Sequence, residues 1–202
     1  MGEQIGILGG SFNPPHLGHL MMAMDALELA RLDRVLFVPA ATPPHKSNHN
    51  GMISAEHRLA MTKLAIADEP RFEVCDDEIR RGGISYTVET LRRLKSSRPD
   101  DELFLIIGGD TLRELPTWRE IGAILDLCRV VTIARPGVNK IQMQPAQPAP
   151  WPEKLMADVI AGHQMDVSST DIRERIIRGR SIRYLVPDAV AAYIAAWKLF
   201  QA

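Results

Sequence analysis

Two histidines, a pair of glycines, a run of hydroxyl residues and one arginine have the types and spacing to do chemistry. The stretch Gly9-Gly10-Ser11-Phe12-Asn13-Pro14-Pro15-His16-Leu17-Gly18-His19 follows the apolar run Gln4-Ile5-Gly6-Ile7-Leu8 and precedes a helical pattern that begins near Leu17. Glycines at the end of a strand let the backbone approach a ligand closely. The free N–H groups at the start of the next helix then favour an anion. His16 and His19 are spaced to share one face of that helix, in its first turn. Such a turn suits polyphosphate, with imidazoles in place of the lysine of a P-loop. It matches neither Gly-x-x-x-x-Gly-Lys-Ser/Thr nor Gly-x-Gly-x-x-Gly. A zinc centre on His16 and His19 would lack the carboxylate and third ligand that a catalytic zinc needs nearby.

Near the other end, Val167-Ser168-Ser169-Thr170-Asp171-Ile172-Arg173 sets three hydroxyl residues before a helix, with Arg173 in its first turn. Taken alone, this is an N-cap.

The elements that must position these residues alternate. Strands are expected at Gln4-Leu8, Arg34-Pro39, Phe72-Cys75, Glu102-Ile107 and Arg129-Ala134, with a last one at Gln164-Val167. Helical stripes follow Leu17, span Ser54-Asp68 and Thr87-Lys95, and close the chain at Asp188-Phe200. Thr117-Trp118-Arg119-Glu120 has capping-box spacing and is expected to open another helix. This alternation predicts an α/β fold: a Rossmann-like, doubly wound parallel sheet with helices on both faces. A small C-terminal helical part would complete a single domain over 1–202, with its core at 1–167 and the helices at 168–202. The Gln- and Pro-rich segment from Gly137 to Pro152 reads as an exposed loop. Ile7-Leu8-Gly9-Gly10 and Ile106-Ile107-Gly108-Gly109 both end an apolar strand in two glycines. If those strands are neighbours where the winding reverses, the glycines border one crevice and Asp110 faces it. Asp110 also suits the N-cap of the next helix.

Composition narrows the class. The chain has 202 residues, 46% of them hydrophobic, with 24 Lys plus Arg against 25 Asp plus Glu. That balance lacks the basic excess of a nucleic-acid binder. Cys75 and Cys128 have no metal-ligand spacing and are expected as small core residues in a reducing cytosol. The chain enters its first expected strand almost at once, so no charged-apolar-small leader is expected, and no apolar run approaches the ~20 residues that span a bilayer. A cytoplasmic location without a membrane partner is the expectation. Met21, Met22 and Met24 read as packing, and His49, His57 and His163 as surface or cap residues.

Strand, Gly-Gly-Ser, Pro14-Pro15 and His16-x-Gly18-His19 together resemble the nucleotidyltransferase superfamily marked by a His-x-Gly-His signature. Val167 to Arg173 is similar to its Ile-Ser-x-Thr-x-x-Arg element, with Val167 in place of Ile. The resemblance implies that Gly9, Gly10, Ser11, Phe12, Asn13, His16, His19, Ser168, Ser169, Thr170 and Arg173 bind ATP. It gives His16, His19 and Arg173 the catalytic work, by positioning and charge stabilisation. Mg²⁺ would be held mainly by phosphate oxygens and water, with no protein metal ligand.

Gly83-Ile84-Ser85-Tyr86-Thr87-Val88-Glu89-Thr90 and Gly108-Gly109-Asp110-Thr111-Leu112, with Leu115-Pro116-Thr117-Trp118, resemble one branch, the nicotinate-nucleotide adenylyltransferases. The likeness runs from Ile7 to about Pro187, the Gln/Pro loop excepted. It implies ATP and nicotinate mononucleotide as substrates. On this reading Trp118 stacks on the pyridinium, the helix start at Thr87 receives the ring carboxylate, and Asp110 accepts from ribose hydroxyls. Tyr86, Gly108, His45 and Lys46 would complete the acceptor side, with no role for Arg119. Another phosphorylated acceptor, such as nicotinamide mononucleotide or pantetheine phosphate, and a non-catalytic nucleotide-binding regulator are the alternatives. The reading is compatible with a homo-oligomer.

Overall fold

The structure of the protein, a computed structural model, describes residues 2–44, 51–134, 151–163 and 165–201. Its elements are β1 (Gln4–Gly10), α1 (Leu17–Leu29), β2 (Arg34–Pro39), α2 (Ala55–Ala65), β3 (Phe72–Val74), α3 (Asp77–Arg81) and α4 (Thr87–Ser97). They continue with β4 (Glu102–Gly108), α5 (Gly109–Glu114), a 3₁₀ turn (Leu115–Thr117), α6 (Ile121–Leu127) and β5 (Arg129–Ala134). The last are α7 (Trp151–Met156), β6 (Asp158–Ala161), α8 (Ser169–Ile177) and α9 (Asp188–Ala196).

Six strands form one sheet in the order β3-β2-β1-β4-β5-β6, the doubly wound Rossmann order. β1 pairs with β4, β4 with β5 and β5 with β6, all parallel. The bonds Asp33 N to Gln4 O and Ala40 N to Gly10 O advance together along β1 and β2, so that pair is parallel too. The four inner strands, β2, β1, β4 and β5, are short, apolar and covered. Leu103 to Ile107 are all buried, the unbroken hydrophobic run of a strand packed on both faces. Since parallel crossovers are right-handed, the winding reversal between β1 and β4 sends the helices of the two halves to opposite faces.

The residues group into two units that interleave along the chain. One comprises Met1–Leu8, Met22–Leu36 and Tyr86–Gln164, the other Gly9–Met21, Phe37–Ser85 and Met165–Ala202. In the first, Asp25 of α1 is buried and its carboxylate accepts from both the backbone N and the ring Nδ1 of His163, each at 2.7 Å. A Cβ on Gly162 would stand 2.4 Å from Ile133 Cγ2 and 2.5 Å from Asp25 Oδ2. Only glycine leaves room for this clasp. In the second unit Phe12, Phe37 and Phe72 pack in series. There His57 Nδ1 meets the Tyr193 hydroxyl at 2.9 Å, joining α2 to α9.

Three expectations change. The last strand is Asp158–Ala161, not Gln164-Val167. Its register is set by Asp158 beside Val131 and Ala161 beside Ala134, while residues 165–168 run on without regular structure. The helix expected from Thr117 begins at Ile121, because Thr117 Oγ1 donates back to Glu114 O and the Glu120 carboxylate is taken by Arg92. The capping box therefore never forms. His163 is exposed, as expected, and is bonded to Asp25, which holds its pKa above the ordinary value, through their hydrogen bond first. His57 sits in a ring cluster with Tyr193 and Trp197. Residues 137–150 of the Gln/Pro segment lie outside the described residues.

Candidate active site

In the second unit, the chain leaves β1 through Gly9, whose missing side chain would have pointed into open space. Phe12 takes a left-handed φ of 47°, and its buried ring meets the His19 ring edge-on at 5.0 Å. That ring is core, so Phe12 offers a ligand its backbone alone. The Asn13 amide is already engaged too. Its Nδ2 donates to Gly51 O at 3.0 Å, and its Oδ1 accepts from Ile53 N at 3.3 Å.

The two imidazoles stack, with centroids 3.7 Å apart and planes 29° apart. The His16 backbone N–H donates to His19 Nδ1 at 3.2 Å. With Nδ1 accepting, the neutral ring carries its proton on Nε2. His16 is buried, its Nδ1 has no hydrogen-bond partner, and burial pushes its pKa down to about 4. It is therefore a neutral imidazole near pH 7. Gly18 explains itself here: a Cβ would lie 3.0 Å from His16 Nδ1 and 3.1 Å from its Cε1. The glycine keeps space for the first histidine.

The second element comes to this turn. Ser168 is the N-cap of α8, its Oγ accepting from Asp171 N at 3.1 Å, as its sequence context alone suggests. Ser169 Oγ donates to Pro14 O at 2.8 Å. Arg173 Nη1 donates to Asn13 O at 2.9 Å, and its Nη2 to Thr170 Oγ1 at 3.2 Å. Half-buried Arg173 has its pKa lowered by desolvation, and a guanidinium has donors beyond these two. Thus residues far apart in sequence share one small surface of hydroxyls, imidazoles, a guanidinium and helix-start amides. Donors of these kinds have the chemistry to hold an anion.

One residue behind this surface carried no sequence signal. Arg58 of α2 is 1% exposed. Its Nη1 donates to Ser11 O at 2.8 Å, its Nη2 to Ala41 O at 2.8 Å, and its Nε to Ile53 O at 3.4 Å. An apolar helical stripe makes no provision for a charge, and nothing in Ser54-Asp68 marks it as buried.

In the first unit, Tyr86 is the N-cap of α4 and no side chain caps that helix. Thr87 is therefore its first residue rather than its cap. Arg119, which had no assigned role, lays its guanidinium over the Tyr86 ring at 4.5 Å. It also stands 3.7 Å from Glu89 and 3.6 Å from Glu120. β1 and β4 are the expected neighbours, from Gln4 beside Glu102 to Ile7 beside Leu105. Gly108 is the N-cap of α5, which leaves Asp110 exposed within its first turn instead of capping it. Trp118, half-buried, follows the 3₁₀ turn. His45 and Lys46 lie outside the described residues.

Among the described residues no three His, Cys, Asp or Glu side chains group closely enough to hold a metal ion. A zinc centre on His16 and His19 has no third ligand there. No helix among those residues is long and apolar enough to cross a membrane. Cys75 and Cys128 are free, and burial pushes both thiols up, Cys128 to about 12.

Residues 7–175 match the cytidylyltransferase-like family. The protein of Roseiflexus sp., named as a probable nicotinate-nucleotide adenylyltransferase, is 48% identical and 98% of each chain is covered. One of Citrifermentans bemidjiense with the same name is 45% identical, again over 98% of each. Among solved structures, the Plasmodium falciparum nicotinic acid mononucleotide adenylyltransferase complexed with NaAD matches with a TM-score of 0.75. It does so at 17% identity, covering 98% of this chain and 97% of that one. At that identity the likeness concerns the fold.

Proposed function

Because the chain belongs to the cytidylyltransferase-like family, with relatives named nicotinate-nucleotide adenylyltransferase at 45–48% identity, we propose that it adenylylates nicotinate mononucleotide. A phosphate oxygen of the mononucleotide attacks the α-phosphorus of ATP in line. The new P–O bond forms as the bond to the β-phosphate oxygen breaks. Nicotinate adenine dinucleotide and pyrophosphate result, the latter carrying away the electron pair. The attacking phosphate is already ionised, so the protein has no proton to remove and no covalent intermediate to form. Its work is to place two anions in line and spread the charge that develops.

The observation that supports this best is the meeting of the two phosphate elements, where Arg173 holds Asn13 O and Ser169 holds Pro14 O. On this reading Gly9, Gly10, Ser11, Phe12 and Asn13 offer ATP their backbone. Ser168, Ser169, Thr170 and Arg173 receive the outer phosphates. His19 presents Nε2–H, and neutral His16 donates without adding a charge that the turn would have to desolvate. Imidazole, hydroxyl and guanidinium donors suit phosphate and leave Mg²⁺ to phosphate oxygens and water. The ion would lower the charge on the triphosphate.

For the acceptor, the uncapped start of α4 has N–H groups for a carboxylate. Tyr86 and Trp118 offer ring faces, and Gly108 and Asp110 stand at the end of β4 for the ribose. His45 and Lys46 would add charge for phosphate. Free thiols and dependence on ATP fit the cytoplasm.

The test is pyrophosphate release from ATP with nicotinate mononucleotide, nicotinamide mononucleotide and pantetheine phosphate in parallel. Turnover with pantetheine phosphate alone would move the chain to another branch. ATP binding with no pyrophosphate from any acceptor would make it a regulator.

A further inference from the structure

The Ser11–Asn13 turn is gripped by two guanidiniums, and the family motifs account for only one. Arg173 holds the Asn13 carbonyl from α8. Arg58 holds the Ser11 carbonyl from α2 and ties it to Ala41 and Ile53. Among the described residues its hydrogen bonds go to carbonyls alone, with no carboxylate at ion-pair distance. A fully buried cation with no carboxylate in contact is expensive, even with the charge of exposed Glu56 acting on it through space. Three carbonyl dipoles engage its three nitrogens, but they do not cancel its charge. Hydrophobic residues of α2 would fill the same volume at lower cost, so a structural filler is a poor account of Arg58.

We propose that Arg58 is a positioning residue for nucleotide binding: it fixes the peptide that follows Ser11 and sets a buried positive charge, with no carboxylate in contact, behind the turn proposed to bind phosphate. The peptide geometry makes this concrete. Asn13-Pro14 is the single cis bond among the described residues, so the Ser11–Phe12 peptide is trans. In a trans peptide the N–H points away from the C=O. With its carbonyl drawn toward Arg58, the unit faces its Phe12 N–H the other way, and a cation on the carbonyl polarises that N–H into a stronger donor. Polyphosphate bound there would bring negative charge to the turn that Arg58 holds. Burial also lowers the Arg58 pKa from its ordinary value, as expected of a cation far from water. The guanidinium remains charged at neutral pH.

This inference rests on the ATP reading above, and the experiment separates the two. ATP and inorganic pyrophosphate binding are measured by calorimetry, with melting temperature, for the wild type, Arg58→Lys and Arg58→Gln. Lysine keeps the charge and loses the fork, while glutamine keeps a donor and loses the charge. The expected result is graded: Arg58→Lys binds ATP about tenfold more weakly and Arg58→Gln about a hundredfold. Stabilisation by ATP shrinks in the same order, while the acceptor KM of the folded variants stays within twofold. Folded variants that bind ATP as the wild type does would overturn the role of Arg58 and leave adenylyl transfer standing. Wild-type protein that binds neither ATP nor pyrophosphate would remove the ATP reading itself. Should neither variant fold, wild-type protein labelled with ¹⁵N-arginine decides. Pyrophosphate must shift the most slowly exchanging guanidinium signal, and an unmoved signal overturns the proposal.

Discussion

Around Pro14 the polar side chains hold backbone, whereas around Tyr86 the charged side chains hold one another. Asn13, Ser169, Arg173 and Arg58 each reach a main-chain carbonyl or amide. Arg119, Glu89, Glu120 and Arg92 form a surface ion network instead. Ion pairs in that setting contribute about 0–1 kcal/mol and are screened by salt. The turn is thus held by groups that would not need to move if phosphate binds there as proposed, while the proposed acceptor region could rearrange around a ligand at little cost. Rate should depend on the first and selectivity on the second.

The largest effect expected is at the stacked imidazoles. His19→Ala should lower kcat by about 10²–10³-fold with a smaller change in ATP affinity. His16→Ala should do the same with more weight on affinity. Either variant, folded and turning over near the wild-type kcat, would erase the contrast. Next is acceptor choice. Nicotinate mononucleotide should exceed nicotinamide mononucleotide by at least roughly 10²-fold in kcat/KM, because a carboxylate meets the α4 amides and an amide leaves donors unpaired. Comparable values would remove the carboxylate pocket and spare adenylyl transfer.

The pH dependence of stability separates the units by sign. His16, lowered from 6.5 to about 4, binds its proton more weakly folded than unfolded. Its contribution is complete above 6.5 and is lost as pH falls toward about 4, on the order of 3 kcal/mol in all. In the first unit His163 is raised by Asp25. Its contribution is present below 6.5 and is lost as pH rises through the raised value. Urea unfolding across this range checks both, since His16→Ala should flatten the acid side and His163→Ala the other. Unchanged slopes would dismiss the assignment. Arg173→Lys is milder, about a tenfold loss in kcat/KM for ATP, because a point charge cannot grip a carbonyl and a phosphate as a planar fork does. Smallest is Arg119→Ala. It should change the acceptor KM by about threefold and stability by less than about 0.5 kcal/mol. A tenfold rise in KM would show the acceptor region to be no less preorganised than the turn.

What could be read from the sequence follows the same division. Apolar runs between turn residues located β2 and β5 to the residue, because a buried parallel strand leaves a continuous signal. The two segments that meet at Asn13 and Pro14 were legible because glycine, hydroxyl, histidine and arginine types are unusual in that order. Asp158–Ala161 was not, being four residues long with an acid at its start. Nor was the clasp of Asp25 on His163, since an acid in an apolar stripe and a distant histidine give no pattern until the fold joins them. Arg58 was hidden for a related reason. Its partners are carbonyls, which every residue has.

The contacts that complete the turn join residues 155 and 160 positions apart. A ribosome adding about 5–20 residues per second therefore makes Pro14 roughly 8–30 s before Ser169 and Arg173. During that interval the histidine turn exists without its clamp. Nascent chains that stop short of α8 should carry the signature motif and fail to retain nucleotide, so binding competence arises only as the final helices are synthesised.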